Sequence, residues 1–303
     1  MNGYFNIRKP SGMSSAAVVA VMRRATGEKR VGHAGTLDPE AAGVLPVMTG
    51  KAARLFDYLV DKEKEYEAVI AFGRSTDTQD ATGETLETGE NYPDLETIRE
   101  KAKTLTGEIV QKPSVYSAIK VGGKPLYARA RKGETVEAPE RKVTVHSIEV
   151  LGEAADHGAE LRIRCGKGTY IRTICDDLGK LCGCPAHMRS LTRTRSGVFT
   201  LETAMTLEEA RELAAEGKLA ERMLAPDYPL GHMTRAEIPE RFEKAVRAGA
   251  KLPAAAAEGA EIPEGGVFRA YLKGAFWGIM EKRGETLIWR CQIAPEEAVT
   301  QKE

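Results

Sequence analysis

Two side chains near the start of this 303-residue chain are placed for chemistry: the carboxylate of Asp38 and, five residues upstream, the imidazole of His33. Gly32, Gly35 and Gly43 surround them. Glycine permits positive φ and close backbone approach. Pro39 follows Asp38 directly and biases the aspartate away from helical geometry, into a turn. A lone carboxylate on a stiff, glycine-flanked turn presents one reactive oxygen, as nucleophile or base. Asp-Pro by itself is ordinary turn chemistry. The weight therefore rests on the whole stretch VGHAGTLDPEAAGVLPVMTGKAARL, residues 31–55.

Other chemistries fit less well. GKGTY, residues 166–170, lacks the spacing of a phosphate loop, and no G-x-G-x-x-G occurs. Residues 77–83 resemble the start of a calcium loop, but its twelfth position is Thr88, not glutamate, so Asp77 and Asp80 read as organising a turn. Ser114 and Ser117 have no evident His–Asp partners. Cys182, Cys184 and His187 form C-x-C-x-x-H without a fourth ligand, so no metal is expected.

The elements that position Asp38 follow from local patterns. Residues 3–8 alternate as a strand. Ser14 or Ser15 caps a helix through about Ala25, stopped by Gly27. Residues 51–60 read as a second helix with Leu55, Phe56 and Leu59 on one face. Residues 66–72 alternate, so Tyr66, Ala68, Ile70 and Phe72 share a side. Helices are expected at 94–105, 169–181 and 206–215, and strands at 143–151 and 160–165, with 189–194 extended. Residues 111–139 are basic and irregular, as a functional loop would be. Beyond Pro226 and Pro229 a short helix at 239–248 and strands near 267–272, 276–281 and 286–293 suggest a small, mostly β module. The expected domains are 1–228, with an insertion at about 111–139, and 229–303.

Net charge is zero, from 44 basic and 44 acidic residues. Residues 1–54, 111–143 and 160–200 together carry +15, and the rest of the chain carries −15. Basic segments that also hold the motifs point to a phosphate-binding face. The chain is 42% hydrophobic, with no apolar run long enough to span a membrane. Five cysteines and no exporting leader point to a reduced, cytoplasmic protein.

The chain resembles the bacterial tRNA pseudouridine synthases of the TruB type. The resemblance rests on ordered blocks across roughly the first 200 residues. They are KPSGMSS (9–15), GHAGTLDPEAAGVLP (32–46), KEYEA (64–68), GRSTDTQDATG (73–83), VYSAIKVGGKPLYARAR (115–131), KGTYIRTICDDLG (167–179) and PAHMRSLTRTRSG (185–197). Ala42 and Lys112 depart from the family's usual residues, and the last 75 or so match only weakly.

The resemblance implies an α+β fold: a mixed, mainly antiparallel central sheet with flanking helices (the pseudouridine synthase fold), plus a small PUA-like C-terminal module. It implies isomerisation of uridine 55 in the T-loop of tRNA. That reaction involves no redox change and needs no cofactor. Asp38 matches the family's essential aspartate; the residues leave open whether it attacks the sugar, attacks the uracil ring or abstracts a sugar proton. Arg172 matches the arginine that pairs with it, and its planar fork suits a bidentate carboxylate. Tyr66 matches a tyrosine that stacks on the target base and also offers a hydroxyl as proton relay. Leu191 matches an apolar pocket wall, Tyr170 a supporting partner, and His33 the residue that fills the vacated base stack. Lys9, Lys120, Lys124, Arg129, Arg131 and Lys167 are candidate phosphate contacts. The expected partner is the tRNA T-arm, bound by a monomer with no guide RNA. The competing readings are the catalytic subunit of a guide-RNA pseudouridylation complex and a tRNA-folding chaperone.

Overall fold

The computed structural model describes residues 1–60, 63–117, 119–130, 132–257 and 259–295. The chain starts with β1 (Gly3–Lys9) and α1 (Ser15–Thr26). Ser14 caps α1 by accepting from the Ala17 amide, and Gly27 ends it at φ 67°. A left-handed residue there favours glycine, which has no Cβ to clash. Next come β2 (Val31–His33), β3 (Ala42–Thr49) and α2 (Phe56–Val60). The helix expected over 51–60 is instead a 3-10 stretch, Gly50–Leu55, running into α2. Leu55 and Leu59, four residues apart, point inward, while Phe56 is 40% exposed. One residue on from Leu55 is a turn of about 100°, which carries Phe56 off the buried face.

The middle of the chain holds β4 (Lys64–Phe72), β5 (Arg74–Thr76), β6 (Thr85–Thr88), α3 (Leu95–Thr104) and β7 (Gly107–Gln111). Asp94 caps α3 by accepting from the Thr97 amide at 2.8 Å. The expected irregular insertion contains a small hairpin, β8 (Lys120–Val121) and β9 (Lys124–Pro125), followed by α4 (Leu126–Ala130). Gly122 and Gly123 both take positive φ, which a tight two-residue hairpin turn requires. Then follow β10 (Arg141–Ala154), β11 (Gly158–Cys165), α5 (Ile171–Cys182), β12 (Ala186–Ser196), β13 (Phe199–Thr200) and α6 (Leu207–Ala215). Thr206 and Glu209 cap α6 reciprocally. The expected extended run at 189–194 is the centre of a longer strand.

The main sheet has the order β1-β3-β12-β4-β11-β10-β7, with β2 on β3 and β13 on β12. Only the β3–β12 pair is parallel, so the sheet is mixed and mainly antiparallel. At that parallel junction Gly43 faces Arg193, and a Cβ on Gly43 would lie 2.2 Å from the Arg193 carbonyl oxygen. The strands meet there only because residue 43 has no side chain.

Tyr66, Ile70, Leu161, Ile163, Leu178 and Leu191 belong to one buried cluster, to which α5 and α3 contribute Ile174 and Ile98. Phe5, Ile7, Val18, Met22 and Leu45 build a second against α1 and α6. Beyond residue 230 come β14 (Arg235–Glu237), α7 (Glu243–Arg247), β15 (Leu252–Pro253), β16 (Val267–Leu272), β17 (Ala275–Arg283) and β18 (Thr286–Gln292). These five strands form a separate sheet around Phe268, Trp277 and Leu287. Leu230, Met233, Ile279 and Ile293 pack with Tyr4, Val44 and Leu55, so the small module shares a core with the large one. Among the described residues no helix is long and apolar enough to cross a membrane.

Candidate active site

The loop between β2 and β3 lies over a cleft of about 250 Å³. Its walls include Asp38, Lys64, Tyr66, Lys167, Tyr170, Arg172, Leu191 and Arg193. Four pieces of the sheet layer meet here: the Asp38 loop, β4, the turn into α5, and β12. Ser15 fixes the loop at its base, its hydroxyl donating to the Leu37 carbonyl and accepting from the Leu37 amide, each at 2.9 Å. Asp38 accordingly stands beyond an anchored, buried leucine.

Arg172 Nη1 lies 3.3 Å from Asp38 Oδ2 and 3.7 Å from Asp80 Oδ2. Its Nη2 donates to the Tyr116 carbonyl at 2.8 Å. The guanidinium thus serves three acceptors rather than clasping Asp38 bidentately. Arg172 is only 5% exposed, while the Asp38 side chain is 41% exposed. A carboxylate that open keeps much of its hydration, and the arginine aims it more than it compensates for burial. Arg172→Lys keeps the charge but cannot reach all three acceptors. Loss of one charge-assisted contact corresponds to roughly 10- to 100-fold. The single-turnover rate of this variant should fall by that factor.

Asp80 has two functions. Its Oδ1 accepts from Thr78 Oγ1 and from the Thr82 amide and hydroxyl, which builds the turn read from sequence. Its Oδ2 faces Arg172, which the sequence reading passes over. Gln79, at φ 65°, binds the same turn to α5 through Asp176 and Thr173, and its Oε1 accepts from the Ser114 amide.

Tyr66 is 8% exposed. Burial pushes its phenol pKa up, and the Arg193 charge pulls the other way. Leu191 lines the cleft and belongs to the same buried cluster as Tyr66. Tyr170 precedes α5, its amide donating to Gln111 Oε1 while its carbonyl accepts from Gln111 Nε2. Its ring lies beneath Arg172 and Arg141, 5.4 and 5.7 Å from the guanidinium carbons. That cation–π contact is how it supports Arg172. His33 sits on β2, and burial, then Arg193, lowers its pKa, so the imidazole is neutral at pH 7. Its Nδ1 has no partner among the described residues.

Lys9 requires correction. Its side chain is buried, and Nζ donates to the carbonyls of Pro10, Pro39 and Ala41 at 2.9, 2.8 and 2.5 Å. Burial pushes its pKa down to about 8, against the pull of Glu40 and Asp38. Lys9 therefore pins the loop that follows Asp38 and is not available to phosphate. Lys124 and Lys167 are exposed. Arg129 Nε is held 2.6 Å from Glu134, so a phosphate would have to compete with that carboxylate. Arg131 and the side chain of Lys120 lie outside the described residues. His187 Nδ1 lies 3.1 Å from the Arg74 carbonyl.

Two cleft residues, Lys64 and Arg193, are absent from the sequence reading. Strand alternation could have found both: Lys64 is two residues before Tyr66, and Arg193 two after Leu191.

Comparison with known proteins gives the chain its family. Residues 23–171 match the model "TruB family pseudouridylate synthase (N terminal domain)", and 172–228 match "tRNA pseudouridylate synthase B C-terminal domain". A tRNA pseudouridine synthase B of Bacillus licheniformis is 42% identical over 257 residues, 83% of each chain. One of Aromatoleum aromaticum is 40% identical over 94% of this chain and 90% of its own. Among solved structures, an H/ACA RNP bound to a substrate RNA containing 2'-deoxyuridine superposes with TM-score 0.74 at 24% identity, covering 98% of this chain and 86% of that one. A Cbf5-Nop10-Gar1 complex gives 0.73 at 26%, covering 97% and 86%. These likenesses establish the pseudouridine synthase fold with a small PUA-like C-terminal module. With both family models matched and 40–42% identity over most of its length, the chain belongs to the TruB family of pseudouridylate synthases.

Proposed function

We propose that this protein isomerises uridine 55 in the T-loop of tRNA to pseudouridine, as a cytoplasmic enzyme acting without cofactor or guide RNA. The observation that carries the proposal is the pairing of Asp38 with Arg172 in a cleft walled by Tyr66 and Leu191. The reaction breaks the bond from the sugar to a ring nitrogen, turns the base, and rejoins it through a ring carbon. It needs an ionised carboxylate, a pocket that retains the free base, and a group to take the proton from that carbon. Asp38 supplies the first, Tyr66 and Leu191 the second, and the Tyr66 hydroxyl the third.

The target uridine must first leave its stack, at a cost of a few kcal/mol offset by pocket contacts. His33, neutral and at the end of β2, fills the vacated position without desolvating a charge. Recognition then rests on loop shape, stacking and phosphate contacts. Residues 111–139 close on the RNA backbone, and residues 229–303 form the accessory RNA-binding module. Identity above 40% to tRNA enzymes, against 24–26% for the H/ACA structures, favours tRNA over guide-directed substrates.

Purified protein incubated with unmodified tRNA alone should convert uridine 55, read by base-specific chemical probing. A requirement for added RNA would favour the guide-dependent reading. Affinity should also fall steeply with salt despite zero net charge. Replacing Lys120, Lys124 and Arg131 by Ala should reduce the log–log salt slope by about 2 to 3, since each lost phosphate contact contributes about 0.7–0.9. An unchanged slope would remove this segment from the RNA interface.

A further inference from the structure

Arg193 is the largest of the fully buried side chains, at 1% exposure. Its Nε donates to the Val44 carbonyl at 2.7 Å and its Nη2 to the Gly35 carbonyl at 3.0 Å. Among the described residues no carboxylate pairs with it. A buried cation held only by neutral acceptors is costly and is seldom kept for stability alone. Its location gives the reason. Arg193 on β12 is the cross-strand partner of Tyr66 on β4, and both line the cleft. As cross-strand partners they present their side chains on the same face of the sheet, which sets the Arg193 guanidinium beside the Tyr66 phenol. One guanidinium therefore ties β3 to the turn leading to Asp38 and lies alongside Tyr66.

We infer that Arg193 is a positioning residue for the reaction proposed above, setting the place of the Tyr66 side chain in the cleft while holding the Gly35 turn. A guanidinium beside the phenol favours its ionised form and so opposes burial. The groups facing that hydroxyl are Arg193 from β12, Cys165 from β11 and Asp38 from its loop. Lys64, Lys167 and Arg172 share the cleft. Cys165, with its pKa pushed up to about 11 by burial, stays neutral in the working range. Arg193 is thus the cation whose removal leaves the effect of burial on Tyr66 unopposed.

The test is the pH dependence of single-turnover conversion on an unmodified T-arm hairpin, for wild type, Arg193→Gln, Arg193→Lys, Tyr66→Phe and the two double variants. Without the guanidinium, ionisation of Tyr66 moves to higher pH. The rising limb for Arg193→Gln should therefore shift up by about one unit, making the variant roughly tenfold slower below the limb. Arg193→Lys retains a charge and should recover part of that shift. In the Tyr66→Phe background neither change should move the profile. A profile for Arg193→Gln that overlays wild type after scaling overturns the inference, as does the same shift without the Tyr66 hydroxyl. If Arg193→Gln does not fold, Arg193→Lys carries the comparison. Thermal unfolding of the Tyr66→Phe and Arg193→Lys singles and double reads the contact without activity. Non-additive midpoints are expected, and additive ones overturn it. A wild type that converts no uridine defeats the functional proposal instead, and the unfolding cycle still decides the contact.

Discussion

Asp38→Asn is expected to leave no detectable pseudouridine while tRNA affinity stays within a few-fold of wild type. Asparagine keeps the shape and the turn but loses the anionic oxygen. Asp38 is placed by a backbone that the substitution leaves alone: Ser15 holds Leu37, and Lys9 holds the carbonyls of Pro39 and Ala41. Removal of the charge therefore reports on chemistry rather than on folding. Arg172 still has Asp80 and the Tyr116 carbonyl as partners, so the buried guanidinium is not stranded. Binding and turnover should separate cleanly, measured by filter binding and by release of label from the ring carbon of uridine. Pseudouridine above background would remove Asp38 from the role of nucleophile. The same variant tests the chaperone reading, under which it should still promote tRNA folding.

Tyr66→Phe should bind RNA normally and slow the chemical step by roughly 10²–10⁴, the usual range for loss of a general base. The ring is buried in a cluster that phenylalanine fills equally well, so stacking on the base persists. What is lost is the hydroxyl, on the ring beside Arg193. Burial keeps the phenol protonated at neutral pH, so it has to pass a proton on as it takes one, or act in the fraction that Arg193 helps to ionise. Single-turnover rates on a T-arm hairpin decide the matter. Near-wild-type turnover would reduce Tyr66 to a stacking surface.

The residues of the site were largely legible in the chain. Asp38 stands out because Pro39 fixes it in a turn flanked by three glycines. Strand alternation puts Tyr66 on the inward face with Ala68, Ile70 and Phe72, and all four are buried. Ser14, Asp94 and Thr206 mark the helix starts, because short polar side chains satisfy free backbone amides wherever they occur.

Tertiary structure decided what local pattern does not encode. A lysine at position 9 looks like a phosphate ligand until the strand crossing surrounds it with three carbonyls. Asp80 reads as a turn residue because its Oδ1 bonds are local, whereas Arg172 reaches its Oδ2 from 92 residues further along the chain. Alternation puts Arg193 on the same strand face as Leu191, but it does not show which carbonyls will hold the guanidinium there. Its burial depends on Gly43, whose missing side chain lets β3 lie parallel against β12 and brings the Val44 and Gly35 carbonyls within reach. Contacts of that kind arise only when distant strands are brought side by side, so the sequence supplies the groups and the sheet order determines which of them meet.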